Sequence, residues 1–164
     1  MKKVSIVMGS DSDLPVMKKA TAVLEQFSVE YEVHVYSAHR TPEKVAELAE
    51  NARKNNVGVI IAGAGMAAAL AGVVAGHTTV PVIGVPLKSA ALDGVDALLS
   101  TVMMPSGIPV ATVAIDGAKN AAYLAAEILA VSDEELQKRL EEDRETMKQG
   151  VLEKNAKVEK EFNK

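Results

Sequence analysis

The segment VSIVMGSDSD, residues 4–13, decides the fold, because an apolar strand pattern ends there in glycine, serine and aspartate. A second apolar pattern is followed by SAHRTP at residues 37–42. Each turn joins a predicted parallel strand to a predicted helix, and open α/β sheets bind ligands at the carboxyl ends of their strands. The two turns supply hydroxyl, carboxylate, imidazole and guanidinium groups. These groups can hold a sugar phosphate and move a proton on it.

Strand and helix patterns alternate along the chain. The predicted strands are Val4–Met8, Tyr31–Tyr36, Val57–Ala62, Val82–Val85 and Val110–Ile115. The predicted helices are Leu14–Phe27, Pro42–Asn55, Met66–Ala75, about Leu92–Val102, and Ala118–Leu129. Such alternation predicts a doubly wound α/β fold, with a parallel sheet of about five strands and helices on both faces. Asp13 is the predicted cap of the first helix.

The 164 residues are predicted to form one domain, with an α/β core at residues 1–131 and a helical extension at residues 132–164. Ser132-Asp133-Glu134-Glu135 matches a capping box for a helix that continues to about Phe162. Thirty helical residues span about 45 Å, which matches the diameter of the domain. We therefore expect the extension to contact a neighbouring subunit; a partly frayed terminal helix is the alternative. The apolar helix predicted at Met66–Gly76 also calls for a covering subunit.

Composition narrows the classes of function. The chain is 48% apolar and 24% charged, has a net charge of −4 and contains no cysteine. These values argue against a nucleic-acid surface, disulfides, thiolate metal sites and a cysteine nucleophile. Residues 57–87 carry no charged side chain, but glycines, Pro81 and a polar turn interrupt them, so no membrane span is predicted. The first residues lack a signal-peptide pattern, and we expect a cytoplasmic protein.

The candidate site residues lie in the two turns. Ser10, Ser12 and Asp13 combine hydroxyl donors with a helix N-terminus, which favours an anion, although serine and aspartate are also ordinary turn residues. Arg40 offers a planar fork that suits phosphate, and His39 offers an imidazole, which can act as an acid or a base. An ordinary surface turn is the alternative for this pair.

Other motifs are weaker. GAGMAA at residues 63–68 fits the dinucleotide fingerprint, but Leu87-Lys88-Ser89 stands where an acidic residue is required. A glycine turn that lets a flat heterocycle approach the backbone is the better interpretation. Structural or exposed roles are expected for His34 and His77. The residue spacings contain no metal-ligand cluster and no serine nucleophile elbow.

Together these residues resemble the family of N5-carboxyaminoimidazole ribonucleotide mutases and aminoimidazole ribonucleotide carboxylases of purine biosynthesis. The resemblance covers nearly the whole chain and rests on VMGSDSD, SAHRTPE, IIAGAG, PVIGVP, GVDALLS, MPSGIPVATVAI and AKNAAYLAA, in that order. It implies a three-layer, flavodoxin-like fold and a homo-oligomer, usually an octamer, with sites between subunits. It also implies that the enzyme uses no metal, nucleotide cofactor or biotin.

The resemblance assigns roles to residues at matching positions. Asp13 would hold ribose hydroxyls, while Arg40 and serines such as Ser10 would hold the phosphate. Ser12 and Ser37 would line the same pocket. Ala64 and Gly65 would meet the carboxylated imidazole. His39 would be the acid and base.

One departure bears on the reaction. Bacterial mutases typically have GGAAHLPGM where this chain has GMAAALAGV at residues 65–73, so Ala69 replaces an active-site histidine. Carboxylases that use free CO2 also lack that histidine, yet they tend to have lysine where this chain has Arg40. The mutase is the predicted activity and the carboxylase is the alternative. A ribonucleotide-binding protein without catalysis is the third possibility; it would need Ser10, Asp13 and Arg40 but not His39.

Overall fold

A computed structural model describes residues 1–163. Their five strands form one fully parallel sheet. Its strands are β1 (Lys3–Met8), β2 (Tyr31–Val35), β3 (Val57–Gly65), β4 (Val82–Leu87) and β5 (Ala111–Thr112). A 3₁₀ turn at Asp11–Asp13 precedes the first of six α-helices. The helices are α1 (Leu14–Gln26), α2 (Pro42–Asn51), α3 (Leu70–His77), α4 (Val95–Val102), α5 (Ala118–Ala130) and α6 (Glu134–Phe162).

The strand order is β2-β1-β3-β4-β5, so the winding direction reverses between β1 and β3. Helices α1 and α5 cover one face of the sheet, and the start of α6 joins their core through the fully buried Leu136. Helices α2 and α3 cover the other face and form a second core. The doubly wound α/β prediction is therefore confirmed. In this topology the strand ends at the reversal form a crevice.

Helices α2, α3 and α4 are shorter than predicted, and local backbone conformations explain the later starts of α3 and α4. Helix α3 starts at Leu70, since Met66 has a left-handed φ of 55° that a right-handed helix does not accept. Helix α4 starts at Val95, because Asp93 and Gly94 have φ values of 53° and 91°. Helix α2 ends at Asn51 rather than Asn55.

Strand β5 has two residues rather than the predicted six. Val113 still donates its N–H to the Gly84 carbonyl at 3.1 Å. The next hydrogen bond between β4 and β5 would need the backbone nitrogen of Pro86 as its donor. A proline nitrogen carries no hydrogen, so the ladder stops.

Asp13 occupies the predicted N-cap position of α1, but the side-chain bonds at the starts of α1 and α6 differ from the prediction. Asp13 makes no capping bond to α1; instead, its carboxylate accepts the Ser10 N–H and closes a capping box around the 3₁₀ turn. Ser132 does not start α6. Asp133 does so, because its carboxylate accepts the Leu136 N–H at 2.9 Å.

The predicted C-terminal helix forms and has 29 residues, a length of about 43 Å. Beyond Gly150 every described residue is exposed in the single chain, including Val151, Val158 and Phe162. Lys164, the last residue of the predicted extension, lies outside the described residues. Within residues 1–163, no helix is long and apolar enough to cross a membrane.

Candidate active site

A cleft of about 660 Å³ lies at the carboxyl edge of the sheet, where the winding reverses. Four strand ends contribute to it, those of β1 to β4. Every residue predicted for the site lines this cleft: Ser10, Ser12, Asp13, Ser37, His39, Arg40, Ala64 and Gly65. The topology brings them together because parallel strands end at one edge of the sheet.

The first wall is the turn that follows β1. The Ser10 hydroxyl accepts hydrogen bonds from the Ser12 N–H at 3.3 Å and from the Ser12 hydroxyl at 2.9 Å. The Ser10 N–H donates to the Asp13 carboxylate at 3.0 Å. These bonds hold the two hydroxyls side by side in the lining of the cleft.

Asp13 is a half-buried carboxylate in this wall. Burial raises the pKa of Asp13 above its ordinary value of 3.8, and the nearby Asp11 carboxylate raises it further. The backbone N–H groups of Ser10 and Gly9 oppose that rise. Removal from water disfavours the charged form, so a hydrogen-bond donor from a ligand would stabilise the carboxylate.

The second wall is the turn that follows β2. The Ser37 hydroxyl accepts the Arg40 N–H at 3.2 Å, and the Thr41 hydroxyl accepts the Ser37 N–H at 2.9 Å. This network fixes the backbone while both His39 and Arg40 remain exposed. Within residues 1–163 neither of these two side chains forms an ion pair. The guanidinium is therefore available for an anionic ligand.

The apolar wall follows β3 and consists of residues 64–70. Its first residues are the end of the strand, and Met66–Ala69 form a turn instead of the predicted first turn of helix. Ala69, at the position of the missing histidine, is half-buried and lines the cleft. This wall offers methyl and methylene groups to a ligand.

Gly63, within the fingerprint-like segment, has a packing role. A Cβ at this residue would meet the sulfur of Met17 at 2.4 Å, so glycine lets α1 approach the sheet closely. By contrast, Gly65 faces the cleft.

Sequence reasoning missed the fourth wall, Lys88 and Ser89 after β4. Their position directly after an apolar strand was the available signal. The other two histidines lie elsewhere, as expected. His34 stacks on Tyr36, and His77 bonds Glu50 at 3.1 Å at the opposite edge of the sheet.

The cleft combines fixed hydroxyls, a guanidinium, a carboxylate and one imidazole with an apolar wall. These groups suit an anionic sugar ligand and a proton transfer on its less polar part. Within residues 1–163 no group of three His, Asp or Glu side chains could hold a metal ion.

The fold and cleft define an open α/β protein of the flavodoxin-like order with a cleft of small-molecule size. Comparisons with known proteins identify the family. A sequence model of the AIR carboxylase family matches residues 3–150. The chain belongs to this family.

Individual relatives agree with that assignment. The N5-carboxyaminoimidazole ribonucleotide mutase of Pyrococcus abyssi is 62% identical over 148 residues, covering 90% of this chain and 85% of the relative. The mutase of Thermotoga maritima is 54% identical over 159 residues, covering 97% of this chain and 93% of the relative. The crystal structure of Treponema denticola PurE superposes with a TM-score of 0.87 at 34% identity, covering 94% of this chain and 97% of the other.

Proposed function

We propose that the chain is an N5-carboxyaminoimidazole ribonucleotide mutase, an isomerase of purine biosynthesis. The reaction moves a carboxylate from the exocyclic nitrogen of an aminoimidazole ribonucleotide to ring carbon C4. The observation that carries the proposal is the cleft itself, which brings one exposed imidazole, His39, together with a fixed set of anion-binding groups. The relative from Pyrococcus abyssi, which is 62% identical in sequence, is named as a mutase, and this supports the same activity.

Binding roles follow from the chemistry of the walls. Arg40 and the hydroxyls of Ser10, Ser12 and Ser37 hold the phosphate, because guanidinium and hydroxyl groups donate to its oxygens. Asp13 accepts hydrogen bonds from ribose hydroxyls. The backbone of Ala64 and Gly65 faces the imidazole ring. The site uses no cofactor.

His39 supplies the proton transfers. The imidazole gives a proton to the exocyclic nitrogen as the nitrogen–carboxylate bond breaks and CO2 leaves. CO2 then bonds to C4, and His39 removes the C4 proton, so the histidine returns to its starting state. General acid–base help of this kind contributes about 10²–10⁴-fold.

The apolar wall at residues 64–70 keeps the released CO2 beside C4. An uncharged molecule loses little when it leaves water for such a surface. Confinement raises its effective concentration at the ring carbon, and this distinguishes a mutase from a decarboxylase that leaks CO2.

The second candidate is an aminoimidazole ribonucleotide carboxylase that uses dissolved CO2. Ala69 favours it, because an alanine stands where mutases typically have a histidine. The carboxylation step at C4 is the same, so His39 keeps its role in this alternative.

Direct assay of the purified chain tests the proposal. Supplied with the N5-carboxylated ribonucleotide in buffer depleted of bicarbonate, the enzyme should form the C4-carboxylated product without ATP. No product above the uncatalysed background would refute the mutase. Product that forms only from aminoimidazole ribonucleotide plus bicarbonate would establish the carboxylase instead.

We also propose a homo-octamer in the cytoplasm, built from core residues 1–131 and linked by the extension at residues 132–164. Val131, 88% exposed, borders an apolar groove between α5 and α6. Met147, Val151, Val158 and Phe162 are exposed at spacings that place them on one face of α6. A neighbouring subunit would cover this stripe.

A further inference from the structure

Lys88 and Ser89 line the cleft but have no role in the mechanism above. Lys88 and Arg40 are the lysine and the arginine among the described residues that line it. Each follows a different strand. The cleft therefore has two separate positive groups, only one of which the phosphate requires.

The two cations lie at opposite sides of the cleft. Arg40 follows β2 and Lys88 follows β4, and the order β2-β1-β3-β4 places three strand spacings between these strands. At about 4.8 Å per spacing, the strand ends are about 14 Å apart. A ribonucleotide with a phosphate on its ribose and a carboxylate on its base is also anionic at both ends. With the phosphate at Arg40, the base extends across β1 and β3 towards Lys88.

The backbone at Lys88 is held in place. Its N–H donates to the Asp116 carboxylate at 2.9 Å, and the Asp116 N–H donates to the Pro86 carbonyl at 2.9 Å. Gly94 packs so closely that an added Cβ would lie 3.2 Å from the Lys88 Cα. A fixed backbone with a free side chain is suitable for orienting a ligand.

The Lys88 ammonium has an exchangeable partner. Its Nζ lies 3.1 Å from the Asp93 carboxylate, and the two side chains are 58% and 79% exposed. Such exposed pairs contribute little to stability. A ligand carboxylate in the cleft could replace Asp93 at small cost.

Ser89 provides a second donor. Its Oγ is shielded from solvent and has no hydrogen-bond partner within residues 1–163. An unpaired buried hydroxyl is disfavoured, and rotation about the Cα–Cβ bond moves it to another staggered position. Because the residue is half-exposed at the cleft, such a rotation can direct the hydroxyl towards a ligand.

We propose that Lys88 and Ser89 form a second anion subsite that binds the carboxylate of the substrate and product, opposite the phosphate subsite at Arg40. The inference rests on the proposed function and adds the groups that select a carboxylated base. The exocyclic nitrogen is bonded to C5, the ring carbon next to C4, so the two carboxylate positions lie close together. One flexible ammonium can therefore follow the carboxylate from the first position to the second.

The test compares two ligands by calorimetry on the full chain. The ligands are the C4-carboxylated aminoimidazole ribonucleotide and aminoimidazole ribonucleotide itself, which lacks the carboxylate. Lys88→Gln should weaken binding of the carboxylated ligand about tenfold or more, and Ser89→Ala about threefold, because each loses a hydrogen bond to a charged group. Binding of the uncarboxylated ligand should change less than twofold. The control Lys54→Gln removes an exposed charge before β3, at the opposite edge, and should bind both ligands like wild type.

Asp93→Asn distinguishes the effect of the Lys88 charge from the effect of the Lys88–Asp93 ion pair. Asparagine accepts the left-handed φ of 53° at this residue, and the substitution removes the anion that competes for Lys88. Binding of the carboxylated ligand should therefore be equal to or tighter than that of wild type. If Asp93→Asn weakens binding of the carboxylated ligand as much as Lys88→Gln does, the subsite is overturned, because binding would then depend on the ion pair and not on the Lys88 ammonium alone.

The remaining outcomes are also decisive. If Lys88→Gln and Ser89→Ala weaken binding of both ligands equally, or weaken binding of neither, the subsite is overturned and the proposed mutase function still stands. If wild type binds neither ribonucleotide, the proposed function fails and the subsite fails with it. Thermal unfolding checks the fold, and Ser89→Ala should be at least as stable as wild type because it removes an unpaired hydroxyl.

Discussion

His39→Asn should abolish most turnover and leave binding intact. The imidazole is exposed at the cleft, and asparagine retains a similar polar shape but cannot act as an acid or a base. Loss of general acid–base help predicts a kcat reduced by about 10²–10⁴-fold, which corresponds to about 2.7–5.5 kcal/mol of barrier. KM should change little, because the phosphate is held by Arg40 and the serines.

The structure also predicts what this substitution should not do. Within residues 1–163 His39 forms no ion pair, so the free energy of unfolding should change by less than about 0.5 kcal/mol. His77→Asn is the matched control, since His77 is an exposed histidine at the opposite edge, 3.1 Å from Glu50. Steady-state conversion of the N5-carboxylated ribonucleotide, corrected for uncatalysed decay, measures both variants. Turnover of His39→Asn within threefold of wild type, or an equal loss in His77→Asn, would refute the assignment.

Three further changes test other parts of the account. Arg40→Ala should raise KM with little change in kcat, since the phosphate is bound equally in ground and transition states. Arg53→Ala is the control, and a reduced kcat at unchanged KM in Arg40→Ala would contradict the phosphate role. Asp13→Asn should weaken ribonucleotide binding. Because the folded pKa of Asp13 is raised, its contribution to stability is complete below pH 3.8 and is lost as pH rises through the folded pKa, so urea unfolding should show the variant gaining stability over wild type from pH 3 to 7. A constant difference would contradict the raised pKa. Deleting residues after Gly150 should leave the subunit folded and give smaller species in sedimentation than the full chain, which we propose to be an octamer. An unchanged size would show that the exposed end of α6 has no part in assembly.

Much of the site follows from the sequence because it depends on strand ends. A parallel sheet gathers the residues after β1, β2 and β3 at one edge, so the turns with Ser10, His39 and Gly65 converge as predicted. Lys88 was missed because a lysine after a strand is an ordinary surface residue. Its position relative to Arg40 depends on the strand order, which periodicity does not encode.

Local conformation accounts for the other errors. The apolar pattern from Met66 onward fits a helix, but the left-handed backbone at Met66 delays α3 and makes the segment a wall of the cleft. The six-residue pattern for β5 fits a strand, but Pro86 on the neighbouring strand ends the ladder. Both effects depend on a specific φ or on a pairing partner, and hydrophobic periodicity reports neither.

The fate of the transferred carboxylate tests the central claim most directly. The N5-carboxylated ribonucleotide, labelled with ¹³C in its carboxylate, is incubated with the enzyme in unlabelled bicarbonate, and the product is examined by NMR. A mutase that traps CO2 beside C4 should give product that retains most of the label. Product whose label has fully exchanged with dissolved CO2, formed at a rate independent of the N5-carboxylated substrate, would contradict the account and establish the carboxylase.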